Sequence, residues 1–167
     1  DIHRALERKE FVVYYQPQID TNTGLIIGME ALVRWQHPHR GLISPVEFLP
    51  FAEETRMIVS IDKMVLHTAC MQNKAWMDKG FNPLSVAVNL SAHTFQQNNL
   101  IELITSVLKE TGMPPHLLEL EITEGAAMQN LELTINNLNK LRALSIQIAL
   151  DDFGTGFSSL FYLKKFP

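Results

Sequence analysis

Five polar side chains interrupt or end otherwise apolar runs: Glu30 in "GMEALVRW", Asn89 in "VAVNLSA", Glu121 in "LELEITE", and the adjacent Asp151 and Asp152 in "IALDDFG". All five are oxygen donors. An unpaired charge set into an apolar strand is costly, and several carboxylates brought together also repel one another. A hard divalent cation relieves that repulsion, and a donor set with no histidine or cysteine suits Mg²⁺ or Mn²⁺ better than Zn²⁺. Taken singly, Glu30, Glu121 or Asp151 reads equally well as a strand-end carboxylate paired with a lysine or arginine, and Asn89 as a capping or turn residue. Their recurrence at the same end of four strands is what indicates a site.

The paired aspartates add a geometric condition. Successive strand side chains face opposite sides, so Asp151 and Asp152 cannot both face inward from a regular strand. With Asp151 as the last inward residue, Asp152 lies at the start of the loop. From there it can reach a second ion about 4 Å from the first, the spacing of two-metal phosphoryl and phosphodiester chemistry.

The elements that must position these residues follow from periodicity. Residues 1–9 read as a helix, and "FVVYYQPQID" and "LIIGMEALVRW" as strands joined by the turn "TNTG", hence antiparallel. After the loop "QHPHRGLISP", Ser44 can cap a helix with Pro45 at its first position. A long amphipathic helix then runs from about Ile58 to a stop at Gly80. From there strand and helix alternate: "LSVAVNLS", "NLIELITSVLKETG", "LLELEITEG", "LELTINNLNKLRALS" and "IQIALDDFG". Strands apolar on both faces, separated by amphipathic helices, indicate a parallel sheet with helical crossovers, either a barrel or an open doubly wound sheet. No glycine-rich fingerprint follows the first strand, and polar residues recur at the C-terminal strand ends, where barrel enzymes keep their chemistry. Both observations favour the barrel. Five strands are legible where a barrel has eight, so the expectation is about the first two thirds of one.

The bulk properties narrow the function. With 167 residues, 46% hydrophobic and 19% charged, the chain can bury a core, and its net charge of -4 offers no broad basic surface, which argues against a DNA-binding domain. No apolar run reaches the roughly 18 residues of a membrane span, and the start "DIHRALERKEF" has no signal-peptide core. The single cysteine, Cys70, sits in a helical pattern and reads as a buried core residue.

The blocks "YYQPQID", "MEALVRW" with Glu30-Ala31-Leu32, "RGLISPVEFLPFAEE", "VNLS", "LELEITE" and "DDFGTGFSSLFYLKKFP" occur in an order and spacing that resembles the EAL domain family of cyclic di-GMP phosphodiesterases over residues 1–167. The resemblance implies a TIM-like (β/α) barrel of α/β class with its first strand antiparallel, of which the N-terminal two thirds stand in this sequence. It implies metal ligands at Glu30, Asn89, Glu121 and Asp151, with Asp152 serving a second ion, and a catalytic role for Glu30, Asp151 and Asp152. Arg34 matches an arginine that contacts a substrate phosphate, Gln16 and Leu32 match residues lining the nucleotide site, and Glu124 matches a glutamate supporting the loop "FGTGFSS". Phe157 departs from the tyrosine common in that loop. A catalytic lysine, a later glutamate and a glutamine of the family pattern are not among these residues.

The activity so implied is opening of cyclic di-GMP to linear pGpG with Mg²⁺ or Mn²⁺, two ions in all. It would belong to bacterial second-messenger signalling, in a cytoplasmic domain of a protein that can be membrane-anchored. The implied partners are a second copy in a homodimer and an upstream sensory or GGDEF domain. The alternatives are a catalytically inactive cyclic di-GMP receptor or scaffold and, outside the family, a metal-dependent barrel lyase or aldolase.

Overall fold

The protein was analysed as a computed structural model that describes residues 2–151. Helix α1 (Ile2–Glu7) leads into a hairpin of β1 (Phe11–Ile19) and β2 (Ile26–His37), antiparallel in the register Gln16 to Glu30. Asp20 closes the turn: its Oδ1 accepts from the Asn22 and Thr23 amides and the Thr23 hydroxyl, bonds that hold its carboxyl below the usual range. A short strand β3 (Gly41–Ile43) folds back on the end of β2 where the sequence reads as loop.

Helix α2 (Pro45–Glu54) begins at Pro45, as expected; Ser44 has the extended N-cap backbone but makes no side-chain cap bond. Then come α3 (Ile58–Asp78), β4 (Ser85–Asn89), α4 (Ala92–Phe95), α5 (Leu100–Thr111), β5 (Leu118–Thr123), α6 (Glu124–Met128), α7 (Leu131–Ala143) and β6 (Gln147–Asp151). Gly112 ends α5 in the left-handed conformation, φ 69°, its amide donating to the Leu108 carbonyl.

The sheet order is β1-β2-β4-β5-β6, with β3 beside β2. β2, β4, β5 and β6 are parallel neighbours joined by helical crossovers, the repeating unit of a (β/α) barrel. Strand faces divide sharply. Val86, Val88, Leu118, Leu120 and Ile122 are wholly buried and point outward under the helices, together with Ala31, Trp35 and Ile146. Opposite them stand Glu30, Leu32 and Arg34 on β2, Ser85, Ala87 and Asn89 on β4, and Glu119, Glu121 and Thr123 on β5. The expectation of strands apolar on both faces therefore holds for the outer face alone. Apart from Leu32, the inner-face residues named are small or polar, because that face is where chemistry is placed and not where the helices pack.

Cys70 is fully buried in the α3 face of this core, and burial pushes its thiol up to about 12, which removes it as a nucleophile. Among the described residues no helix is long and apolar enough to cross a membrane.

At the α2–α3 junction Arg56 is exposed with φ 58°, a conformation that costs a side-chain-bearing L-residue about 1 kcal/mol. Arg56→Gly keeps the amide that donates to the Glu53 carbonyl. It is expected to raise stability by about 0.5–1 kcal/mol in urea unfolding, the glycine's own entropy offsetting part of the relief.

Candidate functional site

The register fixes where the candidate residues lie. Asn89 on β4 is directly beside Glu121 on β5. Glu30 is beside Ala87, two residues before Asn89, and Asp151 is beside Thr123, two residues after Glu121. Paired positions and positions two apart share a face, so Glu30, Asn89, Glu121 and Asp151 all face the inner side. The row climbs four residues across three strand spacings, about 13 Å along the strands over about 14 Å across them. That corresponds to a slope of about 40°, within the tilt of strands in a closed barrel. A row so staggered is level with the rim of a tilted sheet.

The side chains engage one another. Asn89 Nδ2 donates to Glu30 Oε1 at 2.8 Å, which leaves the amide oxygen as an acceptor. Burial, followed by the charges of Glu30, Glu119 and Asp151, pushes the Glu121 carboxyl up to about 7. Among the described residues no three carboxylate, imidazole or thiol groups come close enough to enclose an ion by themselves. The row mixes carboxylates with an amide, and Asp152 lies outside the described residues. Its donors are all oxygen and its charges are mutually repelled, so these residues could hold a hard divalent cation.

Gln16 is the cross-strand neighbour of Glu30. Leu32 and Arg34 share Glu30's parity farther along β2. The Arg34 guanidinium is half-buried and donates to its neighbour's carbonyl, Val33 O, at 2.8 Å. A cavity of about 240 Å³ among α2, α3 and the ends of β2 and β4 is lined mainly by apolar residues, Leu49, Ile58 and Ile61 among them, and includes Leu32 and Asn89. A larger hollow of about 620 Å³ lies between α3 and α5, lined by helix and loop residues including His67 and Glu110, and shares none of these strand residues. The smaller cavity touches the row, at Asn89.

Glu124 is buried as the first residue of α6, where Thr123 caps the helix by accepting from the Ala126 amide. The loop "FGTGFSS" that Glu124 is expected to support lies outside the described residues.

Sequence reading did not find Asp62. This α3 residue is 6% exposed, and its Oδ2 accepts from the Ser91 amide at 3.0 Å and from the Ser91 and Thr94 hydroxyls, each at 2.6 Å. Burial raises its carboxyl above the usual range while these three bonds oppose the rise. The available signal is its place in the apolar stripe of Ile58, Ile61, Val65, Leu66 and Ala69, where a carboxylate needs partners.

Three comparisons bear on the assignment. The family model described as EAL domain matches residues 1–167. The bifunctional diguanylate cyclase/cyclic di-GMP phosphodiesterase MucR of Pseudomonas aeruginosa is 44% identical over 167 residues, all of this chain and 24% of its own length. The signaling protein YkoW of Bacillus subtilis is 46% identical over 166 residues, 99% of this chain and 21% of its own. This chain thus spans about a quarter or less of the length of these two relatives. Among solved structures, the MucR phosphodiesterase in complex with c-di-GMP superposes with a TM-score of 0.94 at 44% identity, over 100% of this chain and 68% of that one.

The crowding of carboxylates sets a pH signature. The Glu121 value lies above the ordinary 4.5, so the protonated carboxyl stabilises the cation-free fold at low pH, and that contribution is lost as pH rises through about 7. In chelator, the stability of the native protein relative to Glu121→Gln is expected to fall from about pH 5 to about pH 8. The fall should be on the order of 1 kcal/mol, since solvent screens a half-buried group. Urea unfolding along that pH series measures it, and a flat difference would mean that Glu121 titrates as an ordinary carboxylate.

Proposed function

The chain belongs to the EAL domain family of cyclic di-GMP phosphodiesterases, whose domains are TIM-like barrels, and on that premise we propose that it hydrolyses cyclic di-GMP to linear pGpG with two divalent cations, Mg²⁺ or Mn²⁺. The observation that carries the reading is the level inner-face row of Glu30, Asn89, Glu121 and Asp151, every member an oxygen donor.

Glu30, Asn89, Glu121 and Asp151 would hold the first cation, and Asp152 would extend the set toward the second. Bound there, the cations supply Lewis-acid stabilisation of the phosphate and a nucleophile at neutral pH. The chain's own residues do the rest. The bond from Asn89 to Glu30 keeps the glutamate in a single orientation and the amide oxygen turned away from it. Glu121 releases its proton when a cation takes over its charge balance, so binding strengthens as pH rises through about 7. Arg34, beyond the row on the same face of β2, brings a planar permanent cation to a substrate phosphate, a fork geometry that lysine cannot reproduce. Gln16 borders the row beside Glu30 and Leu32 borders the cavity, and in this reading both line the nucleotide site. Glu124, buried at the head of α6, supports the loop after the aspartates.

In the cell this reading makes the chain a cytoplasmic signalling domain that works as a homodimer alongside a sensory or GGDEF domain. The bifunctional name of its relative MucR supports the second association.

The test is product chromatography with the full-length protein, cyclic di-GMP and either cation. Conversion to pGpG is expected, and it should fall by at least about a hundredfold in Glu30→Ala and in excess chelator. Turnover that survives both removes the metal mechanism. Tight nucleotide binding with no pGpG under either cation identifies a receptor instead.

A further inference from the structure

Helix α3 carries two buried polar residues in its apolar face, Asp62 and Asn73, 6% and 2% exposed. Eleven residues amount to three turns and about 20°, so both project from one side of the helix, about 16 Å apart along its axis. Both reach toward β4 and grip opposite ends of it. Asn73 Nδ2 donates to the Leu84 carbonyl at 2.9 Å, immediately before the strand begins. Asp62 Oδ2 gathers the Ser91 amide, the Ser91 hydroxyl and the Thr94 hydroxyl, two and five residues after the strand ends at Asn89.

Apolar side chains would hold α3 against the sheet without the desolvation that a buried carboxylate entails. What they would not do is fix the path of the chain after β4. The Asp62 bonds do this in concert with two others. The Leu90 amide donates to the Glu121 carbonyl at 2.8 Å, and the Ser91 hydroxyl accepts from the Thr94 amide at 3.2 Å to cap α4. Leu90 is thereby tied to β5, and Ser91 and Thr94 are tied to α3. The residue just before this fastened turn is Asn89, whose amide must meet Glu30.

We propose that Asp62 is a positioning residue for the carboxylate row: by anchoring Ser91 and Thr94 to α3 it sets the exit of β4 and holds Asn89 in the orientation that serves the cation. The inference rests on the cation-binding reading of that row. Asn73 makes the equivalent attachment at the far end of the strand and provides an internal control, because losing it loosens the same helix on the same strand away from Asn89.

The experiment measures Mn²⁺ affinity of the full-length, nucleotide-free protein by electron paramagnetic resonance, alongside melting temperature and the separate kcat and KM for cyclic di-GMP. Asp62→Ala is expected to weaken Mn²⁺ binding by about tenfold, the low end for a residue that supports a ligand indirectly, and to lower kcat more than KM. Asp62→Asn should recover most of the affinity, because an amide oxygen in the place of Oδ2 still accepts from Ser91 and Thr94 through its two lone pairs. Ser91→Ala, which keeps the backbone bond, should fall between the two and serves if Asp62→Ala does not fold. Asn73→Ala should lower the melting temperature while leaving Mn²⁺ affinity within about twofold. The proposal is overturned if the Asp62 and Ser91 variants melt earlier yet bind Mn²⁺ as the native protein does, if Asp62→Asn is as defective as Asp62→Ala, or if the defect lies in KM alone. A native protein that binds no Mn²⁺ would overturn the cation reading itself, and the inference with it.

Discussion

Each strand of the parallel sheet can bury only one of its two side-chain parities beneath the helices, and the rest of the molecule follows from which one. On β4 and β5 the buried parity is Val86, Val88, Leu118, Leu120 and Ile122, all at most 1% exposed. At roughly 1.5–3 kcal/mol for each large side chain removed from water, a one-residue slip in either strand would turn several of these inward and bring Asn89 or Glu121 under a helix. The register is thus enforced by the outer face, although its consequence is read on the inner one. The carboxylates are aligned by residues they never touch.

That arrangement lets the protein keep a locally unfavourable site. Burial, and then the charges of Glu30, Glu119 and Asp151, raise the Glu121 carboxyl to about 7. A stable scaffold can carry such a conflict where chemistry requires it, and conflicts of this kind concentrate at functional sites. Arg34, on the same face, donates to Val33 O along its own strand.

What could be read from the sequence follows the range of the interactions. Elements set by local chemistry were legible: Pro45 at the first turn of α2, Gly112 ending α5, the alternation of β4 through β6, and the burial of Cys70. So was the candidate row, because a carboxylate at the end of an apolar run departs from its surroundings. β3 was not, since three residues of "GLI" carry no periodicity and exist as a strand only by pairing with residues 35–37. The short helices α4 and α6 were missed for a related reason. Each is one turn or little more, and each is fixed by a hydroxyl cap, Ser91 or Thr123, instead of an amphipathic pattern. Asp62 was the largest omission, as one acidic residue in a helix normally reads as solvent-facing. Its partners are 29 and 32 residues away, at the cap and in the first turn of α4, whose position only the fold supplies.

Helix α3 is long and bonds to the two ends of β4 at widely separated points. A helix packed on a strand by apolar side chains alone can shift along it by small amounts, because dispersion contacts are individually weak and exchange readily for one another. Directional bonds at two points, to Leu84 and to Ser91, remove that freedom where the outer-face packing cannot. Packing therefore selects the face on which Asn89 points, and the polar contacts of α3 determine how far along the rim it stands. A site of several oxygen donors needs both, since a donor on the correct face but displaced along its strand cannot share an ion with its neighbours.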